Sequence, residues 1–323
     1  MQRGTVKGTR LFGNRTYSKV PYEQLFEEFI RASEIKGRAE ETLRTYRNHH
    51  KYFMEFLKNH TRSREPMADV ITPELIDDYI EYLEKVKNHC NNTTINSYLK
   101  NVSPVIKYGV KKGYIYNDFL IPFRKEQEKF KEIYSPDELQ TLLVRPKGNN
   151  FVSIRDWAIV WVLASTGVRS KELRCLKIKG VDLYNRSITA VHTKNRKARY
   201  LPISSSLLEV LNDYLSIRGG EGEDYLFPTV YGEMMSSSSL SKQIQRYCNN
   251  RGVYKTSLHL FRHTFITNSV NANVSPLLLQ KVTGHSSMRE LSRYYNSQLK
   301  DVVNIIDDIA PKLGKRESLF KKR

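Results

Sequence analysis

Apolar residues recur at helical spacing in four successive segments between residues 21 and 113. In the first segment they occupy positions i, i+3, i+4, i+7 and i+8, which lie on one face of a helix: Tyr22, Leu25, Phe26, Phe29 and Ile30. The third segment opens with Thr72-Pro73-Glu74, where a hydroxyl cap precedes a proline at the first helical position. In the fourth, Pro104 is expected to kink or split the helix near Ser103. Four short helices of this kind predict a small all-α domain.

The pattern changes in the second half of the chain. Residues 187–192 and 198–203 alternate and are β-branched or aromatic, which with the basic segment 193–197 between them is typical of a β-hairpin. Ser135-Pro136-Asp137-Glu138 is a capping box that begins a helix. Further helices are expected at about residues 153–166, from 169, and at 207–217, 239–249, 259–271, 276–282, 289–296 and 302–309. The predicted fold is mostly α with a small β-sheet: an α+β domain preceded by an all-α four-helix domain.

Composition and pattern together divide the chain into five parts, and 323 residues suit two domains of ordinary size. They are a basic N-terminal tail (1–20), the helical domain (21–113), a linker (114–132), the second domain (133–311) and a basic C-terminal tail (312–323). Residues 1–20 contain five Lys or Arg and no acid. Two interpretations of this tail stay open: a disordered terminus, or a segment that grips phosphate.

The chain has 53 Lys and Arg against 34 Asp and Glu, a net charge of +19. Such a charge points to a polyanion: DNA, RNA or an anionic membrane. Membrane insertion is not expected, because the longest apolar run, residues 157–164, is far below the ~20 residues that span a bilayer. Cys90, Cys175 and Cys248 form no CxxC, which suits a reducing cytoplasm and argues against a disulfide framework or a Cys-rich zinc site. We therefore expect a cytoplasmic protein.

Two arginines in the second half of the chain lie in motifs that suggest a role in binding phosphate. Arg169 follows a Thr-Gly helix stop, and Arg262 lies in His259-Leu260-Phe261-Arg262-His263. Two guanidiniums can clamp a phosphodiester, whose transition state carries additional charge on the non-bridging oxygens. Glu172 lies one helical turn after Arg169, and it either holds a catalytic side chain in position or lies on the helix surface.

The hairpin turn supplies further cations. Lys194 could protonate a leaving 5′ oxygen, with Lys197 as the reserve candidate. Four basic side chains in and beside this turn fit simple phosphate contacts equally well: Lys194, Arg196, Lys197 and Arg199. His259 and His263 have the i, i+4 spacing of a metal pair. Leu260 stands where the zinc-protease motif needs a glutamate, so no metal site is predicted.

Tyr294 lies nine residues after His285, in a chain with 20 tyrosines. A phenol has a pKa of ~10 and needs cationic neighbours to lose its proton. Attack by Tyr294 on a phosphodiester would join the phosphate to the tyrosine and release a free hydroxyl. Because that bond stores the energy of the broken one, rejoining needs no ATP, metal or other cofactor. Tyr295 is adjacent, but neighbouring helical residues point about 100° apart, so only one can face the phosphate.

Taken together, these motifs resemble the tyrosine recombinases, or phage integrase family, over about residues 133–309 and more loosely over the helical half. The family motifs Thr-Gly-x-Arg-x-x-Glu-Leu and His-x-x-Arg-His are intact, and Lys194, Arg199 and Pro202 match the pattern around the hairpin turn. The resemblance implies a set of catalytic residues: Arg169, Lys194, His259, Arg262, His285 and the nucleophile Tyr294. It gives Glu172 a supporting role and assigns DNA contacts to Arg196, Lys197 and Arg199. His259 would be the general base or an orienting histidine, and His285 a hydrogen-bond donor to the scissile phosphate.

The resemblance also implies partners and an assembly. A two-domain clamp would hold double-stranded DNA, and a homotetramer would act on two DNA sites, with or without a second recombinase or accessory protein. Residues 302–309 would dock into a neighbouring subunit or pack on their own domain. The implied activity is site-specific recombination, for integration or excision of a mobile element or for dimer resolution or inversion. Two alternatives stay open: a monomeric type IB topoisomerase-like enzyme, and a DNA-binding regulator on a decayed recombinase fold.

Overall fold

The computed structural model describes residues 17–85, 91–116, 118–126, 132–191, 198–285, 287–292 and 294. The chain divides into two compact units, Met1–Lys129 and Phe130–Arg323. The first is helical in its described part, and the second combines helices with a three-stranded antiparallel sheet. This confirms the predicted fold class. None of the described helices is both long and apolar enough to cross a membrane.

The described part of the first unit contains four α-helices: α1 (Tyr22–Ile35), α2 (Glu40–Thr61), α3 (Pro73–Lys85) and α4 (Asn92–Lys112). The five stripe residues of α1 are all buried in one apolar core. The helix α4 runs through Pro104 without a break, so the expected split does not occur. Val102, Val105 and Ile106 are buried on both sides of the proline. Their burial, about 1.5–3 kcal/mol each, outweighs the ~3 kcal/mol that an internal proline costs.

Part of the predicted linker packs on the first unit. Ile115 and Ile121 are buried in its core. The Asn96 amide donates to the carbonyl of Arg124 and its oxygen accepts from the Arg124 backbone N–H, both at 2.8 Å. A non-helical segment is thus fixed by apolar anchors and by a side chain that satisfies its backbone.

The second unit surrounds one apolar helix. Its helices are α5 (Pro136–Leu143), α6 (Phe151–Thr166), α7 (Ser170–Arg174), α8 (Ser205–Arg218), α9 (Ser237–Asn249), α10 (Leu258–Asn271), α11 (Pro276–Thr283) and α12 (Met288–Ser292). The predicted capping box begins α5, where Ser135 and Glu138 bond reciprocally. The helix α6 packs against α5, α8, α9 and α10. It can do so because ten of its 16 residues are buried, so it presents apolar surface in every direction.

The sheet lies in the order β1 (Val181–Asp182), β2 (Ser187–Val191) and β3 (Ala198–Pro202), with antiparallel pairing throughout. The register places Ile188 opposite Leu201, and both are fully buried. The hairpin prediction is correct for these strands. The sequence did not reveal β1, because a two-residue strand shows no alternation. The turn at 192–197, with Lys194, Arg196 and Lys197, lies outside the described residues, as do Tyr295 and 302–309.

Candidate active site

The end of α6 places Arg169 at the site. Gly167 closes α6 in the left-handed conformation, with φ of 58°, and a Cβ there would meet the Phe265 ring at 2.6 Å. Both facts require glycine. Two residues later Arg169 precedes the first turn of α7. Its Nη2 donates to the Gly284 carbonyl at 2.6 Å, across 115 residues of sequence. The Thr-Gly stop therefore turns the chain so that this guanidinium reaches the Gly-His segment.

Glu172 holds two guanidiniums rather than lying on the helix surface. Glu172 is only 3% exposed. It accepts from the Arg169 backbone N–H at 3.2 Å, from Arg169 Nη1 at 3.3 Å and from Arg199 Nη2 at 2.6 Å. Burial alone would raise the pKa of this carboxyl. The hydrogen bond from Arg199 and the charges of Arg199 and Arg169 outweigh burial and hold the pKa below its ordinary value.

Arg199, expected to contact DNA, is directed towards Glu172. Its side chain is 11% exposed. Burial lowers the pKa of its guanidinium, and this effect is larger than the opposing effect of the Glu172 carboxylate. Its Nε and Nη1 are buried and have no hydrogen-bond partner among the described residues. Because unpaired buried N–H groups are costly, this arginine retains donors for a further acceptor. Its contact with DNA stays a prediction.

Arg262 is buried at the ends of two helices. Its Nη1 donates to the carbonyls of Gly167 at 2.6 Å and Thr283 at 3.0 Å. Gly167 caps the C-terminus of α6 and Thr283 is the last residue of α11, so both carbonyls lie at the negative ends of helix dipoles. Burial, followed by the charges of Arg169 and Arg199, lowers the pKa of Arg262 to about 10. The guanidinium stays charged at neutral pH.

The ring of His285 is engaged at both nitrogens. Arg262 Nη2 lies 2.9 Å from Nε2, and Thr283 Oγ1 lies 2.7 Å from Nδ1. Because a guanidinium only donates, Nε2 must accept, and Nδ1 then carries the proton and donates to Thr283. Burial, followed by the charges of Arg262, Arg169 and Arg199, lowers the pKa of His285 to about 4. His285 is therefore neutral at pH 7, and its predicted donation to a phosphate requires a proton on Nε2.

The backbone of Gly284 brings the two arginines together. Its φ is 66°, and a Cβ at this position would lie 2.9 Å from Arg199 Nε and 3.1 Å from Arg169 Nη1. Glycine is required by the conformation and by the absence of space. The Gly-His motif thus has a packing explanation: its backbone lies directly against both guanidiniums.

Tyr294 meets α10 at His263, which is not among the predicted catalytic residues. Its hydroxyl forms a short hydrogen bond with His263 Nδ1. The rings of His263 and His259 are stacked, with centroids 5.5 Å apart. Tyr294 also contributes to the electrostatic environment of Arg262. The i, i+4 spacing of the histidines was the available signal, because it places both rings on one face of α10. No group of three or more His, Cys, Asp or Glu among the described residues could hold a metal.

The structure therefore brings Arg169, Glu172, Arg199, Arg262 and His285 into one cluster. Tyr294 lies beside this cluster and is hydrogen bonded to His263. Of the predicted catalytic residues, Lys194 lies outside the described part of the chain. The individual catalytic roles stay predictions.

Curated relatives match nearly the whole chain. A tyrosine recombinase XerC from Thermodesulfovibrio yellowstonii is 25% identical over 287 residues, covering 85% of this chain and 92% of the relative. A tyrosine recombinase XerD from Staphylococcus aureus is 24% identical over 294 residues, covering 87% and 98%. Both alignments extend over both units of the fold.

Solved structures share the fold at lower identity. The Tn1549 transposon integrase, in complex with a circular intermediate DNA, is 18% identical with a TM-score of 0.73, covering 90% of this chain and 99% of that one. The XerH site-specific recombinase bound to difH is 20% identical with a TM-score of 0.65, covering 88% and 84%.

Two family models together account for both units. The phage integrase SAM-like domain matches residues 23–127. The model described as the phage integrase family matches residues 133–300, more than half of the chain and the whole of the described cluster. Because this family model matches more than half of the chain and every residue of the described cluster, the chain belongs to the phage integrase family.

Proposed function

We propose that the protein is a site-specific DNA recombinase that cleaves and rejoins DNA through a 3′-phosphotyrosine at Tyr294. The observation that carries the proposal is the excess of positive charge beside the Tyr294 hydroxyl. In the described part of the chain, the cluster joins three guanidiniums, Arg169, Arg199 and Arg262, to one carboxylate, Glu172. Partly buried cations of this number favour an anion between them, and a phosphodiester supplies both the charge and paired acceptors.

The proposed reaction uses these groups in sequence. Arg169 and Arg262 bind the non-bridging oxygens and stabilise the charge that grows on them in the transition state. The Tyr294 oxygen attacks phosphorus as its proton passes to a histidine of α10, the bond to the 5′ oxygen breaks, and that oxygen takes a proton from Lys194, the predicted donor. In the reverse step a 5′ hydroxyl attacks the phosphotyrosine and releases the phenol. Exchange of 5′ ends between two DNA sites would give recombination.

The relatives support DNA as the substrate, and the assembly is proposed from the family resemblance. We assign double-stranded DNA as the partner, since solved structures of the same fold contain DNA. A homotetramer on two sites in the bacterial cytoplasm, at the nucleoid, would complete the exchange, alone or with a second recombinase or accessory protein. Integration or excision, dimer resolution and inversion are all within the proposal. The XerC and XerD relatives favour recombination over the monomeric topoisomerase alternative.

Covalent capture tests the proposal. Wild type, Tyr294→Phe and Tyr295→Phe are incubated with nicked DNA fragments flanking the gene, and denaturing gels reveal protein joined to DNA. The control is Tyr254→Phe, which alters an exposed tyrosine of the second unit. An adduct lost only in Tyr294→Phe is expected. Loss only in Tyr295→Phe would replace the nucleophile, and full biological activity of Tyr294→Phe would favour the DNA-binding regulator.

A relaxation assay separates the two enzyme alternatives. A recombinase joins two specific sites and leaves plasmids without such a site supercoiled. A topoisomerase relaxes supercoils regardless of sequence. Relaxation of a plasmid that lacks the captured site, with the same Tyr294 dependence, would overturn the recombinase proposal and support the topoisomerase.

A further inference from the structure

We propose that Arg199 is a positioning residue: it neutralises Glu172, so that the charge of Arg169 remains available to the scissile phosphate. The inference rests on the proposed function, because it takes Arg169 as a phosphate ligand. It gives a task to an arginine of β3 to which the resemblance assigned only a contact with DNA. Direct contact between Arg199 and the scissile phosphate is the alternative that the experiment separates.

Glu172 orders the segment that carries Arg169, but it also brings a negative charge to the site. Its carboxylate accepts from the backbone N–H of Arg169 at 3.2 Å and from Arg169 Nη1 at 3.3 Å. A buried carboxylate beside a guanidinium that binds an anion would repel the anion and offset the charge of the guanidinium. A second cation on Glu172 removes this conflict.

Arg199 is the closer and better shielded partner of Glu172. Its Nη2 donates to Glu172 Oε2 at 2.6 Å, whereas Arg169 Nη1 lies 3.3 Å from Oε1. The side chain of Arg199 is 11% exposed and that of Arg169 is 31% exposed, so solvent screens the pair with Arg199 less. Because short charge-assisted hydrogen bonds are the strong ones, Glu172 is held chiefly by Arg199.

Arg169 keeps donors for a phosphate while Glu172 is held in this way. Within the described part of the chain, its guanidinium bonds Glu172 through Nη1 and the Gly284 carbonyl through Nη2. A guanidinium has five N–H donors, so further donors remain. The Nε of Arg199, in contrast, is buried against Gly284, where a Cβ would lie 2.9 Å from it. Arg169 is thus the accessible cation of the pair, and Arg199 the buried one.

The charges that act on Glu172 come from three elements. Arg199 lies on β3 and Arg169 precedes α7, and Glu172 also contributes to the electrostatic environment of Arg262 on α10. Burial raises the pKa of the Glu172 carboxyl, and the hydrogen bond from Arg199 is the largest of the effects that lower it. Without Arg199 this pKa should rise, so that Glu172 loses its charge in mildly acidic solution.

The test is a double-mutant cycle in single-turnover cleavage of the DNA site that wild type captures. Arg199→Met removes the charge and keeps an unbranched side chain, and cleavage should slow by roughly 10- to 100-fold. Combining it with Glu172→Gln also removes the charge that Arg199 neutralises. This double variant should cleave within about threefold of Glu172→Gln alone. A further loss beyond about threefold would mean that Arg199 acts independently of Glu172, and would overturn the proposal.

The pH dependence of cleavage is a readout that a general loss of packing would not move. In Arg199→Met, a fall in pH protonates Glu172 and removes the uncompensated charge. The ratio of the wild-type rate to the Arg199→Met rate should therefore shrink as pH falls from about 8 to about 5. A ratio that stays constant or grows over this range would contradict the assignment.

Two further variants complete the design. Arg199→Lys restores a cation and should cleave faster than Arg199→Met. Arg145→Met is the matched control, because Arg145 also donates to a carboxylate, Asp213, at 2.6 Å, but its side chain is 39% exposed. It should cleave within about threefold of wild type. Failure of Arg199→Lys to exceed Arg199→Met, or an equal loss in Arg145→Met, would count against the proposal. Should Arg199→Met fail to fold, the double variant lacks both charges of the pair and is judged against Glu172→Gln by the same threshold.

The inference and the proposed function fail in different ways. If wild type forms no adduct, or if the adduct survives Tyr294→Phe, the proposed function fails. If the adduct depends on Tyr294 and Arg199→Met forms it at the wild-type rate, the function stands and only the role of Arg199 is refuted.

Discussion

Replacement of Glu172 by glutamine tests whether one buried carboxylate holds two arginines of the site in place. Glutamine keeps the shape of the side chain and one acceptor oxygen. It removes the negative charge and introduces an N–H₂ group that donates where an acceptor is needed. Glu172 is 3% exposed, and the side chains of its partners Arg199 and Arg169 are 11% and 31% exposed.

The expected loss of stability follows from this burial. Removing one partner of a buried ion pair costs about 3–5 kcal/mol, because an uncompensated charge remains. The acceptor oxygen that glutamine keeps offsets part of this cost, so we expect the free energy of unfolding to fall by roughly 2–4 kcal/mol. For a domain of this size, the melting temperature should fall by roughly 5 to 15 °C. Glu172 also has a lowered pKa, so its contribution is present above the ordinary carboxyl pKa and is lost as pH falls through the folded value.

Thermal and urea unfolding, followed by circular dichroism, measure the loss. Glu223→Gln is the matched control, because Glu223 also bonds two cations, Lys177 and Lys179, but its side chain is 68% exposed. We expect little change in that variant, since solvent screens exposed pairs. Covalent capture of DNA should fall in Glu172→Gln and not in Glu223→Gln. Equal stability losses in the two variants would refute the argument that burial makes Glu172 important.

Three further predictions concern individual residues. Gly284→Ala should lower DNA cleavage and cost about 1–2 kcal/mol in a urea titration, because a methyl group in a left-handed conformation would press on Arg199 and Arg169; a fully active variant would contradict this. NMR of labelled histidine should find His285 neutral down to about pH 4, whereas protonation at pH 6.5 would show that burial and the nearby arginines do not control it. Ser135→Ala should destabilise the second unit by about 1 kcal/mol through loss of the α5 cap, as measured by thermal unfolding; an unchanged melting temperature would remove that role.

Local chemistry made much of the fold predictable. Apolar spacing identified the helices, and capping residues located several of their ends, as Ser135 does for α5. Pro104 was expected to kink or split α4, and the split does not occur, because apolar packing on both sides of the proline outweighs a local preference. The burial of Ile121 in the first unit was equally invisible, since it depends on a surface built from distant residues.

Motif spacing identified the candidate residues of the site but not all of their contacts. The pairing of Glu172 with Arg169 was predictable, because three residues make one helical turn. The contact of Arg199 with the same carboxylate spans 27 residues and depends on where β3 lies. The hydrogen bond between Tyr294 and His263 spans 31 residues and depends on where Tyr294 lies relative to α10.

The amino-acid sequence was sufficient to predict the helix-rich fold class, the basic character of the chain, and the types and order of residues that can bind and cleave a phosphodiester. These follow from periodicity, charge and spacing, which act over a few residues. Three features became visible only in the folded chain: Arg262 lies at the ends of two helices, His285 is neutral, and Tyr294 is hydrogen bonded to His263. Each depends on burial and on partners brought together from distant parts of the chain, and packing of the whole unit sets both.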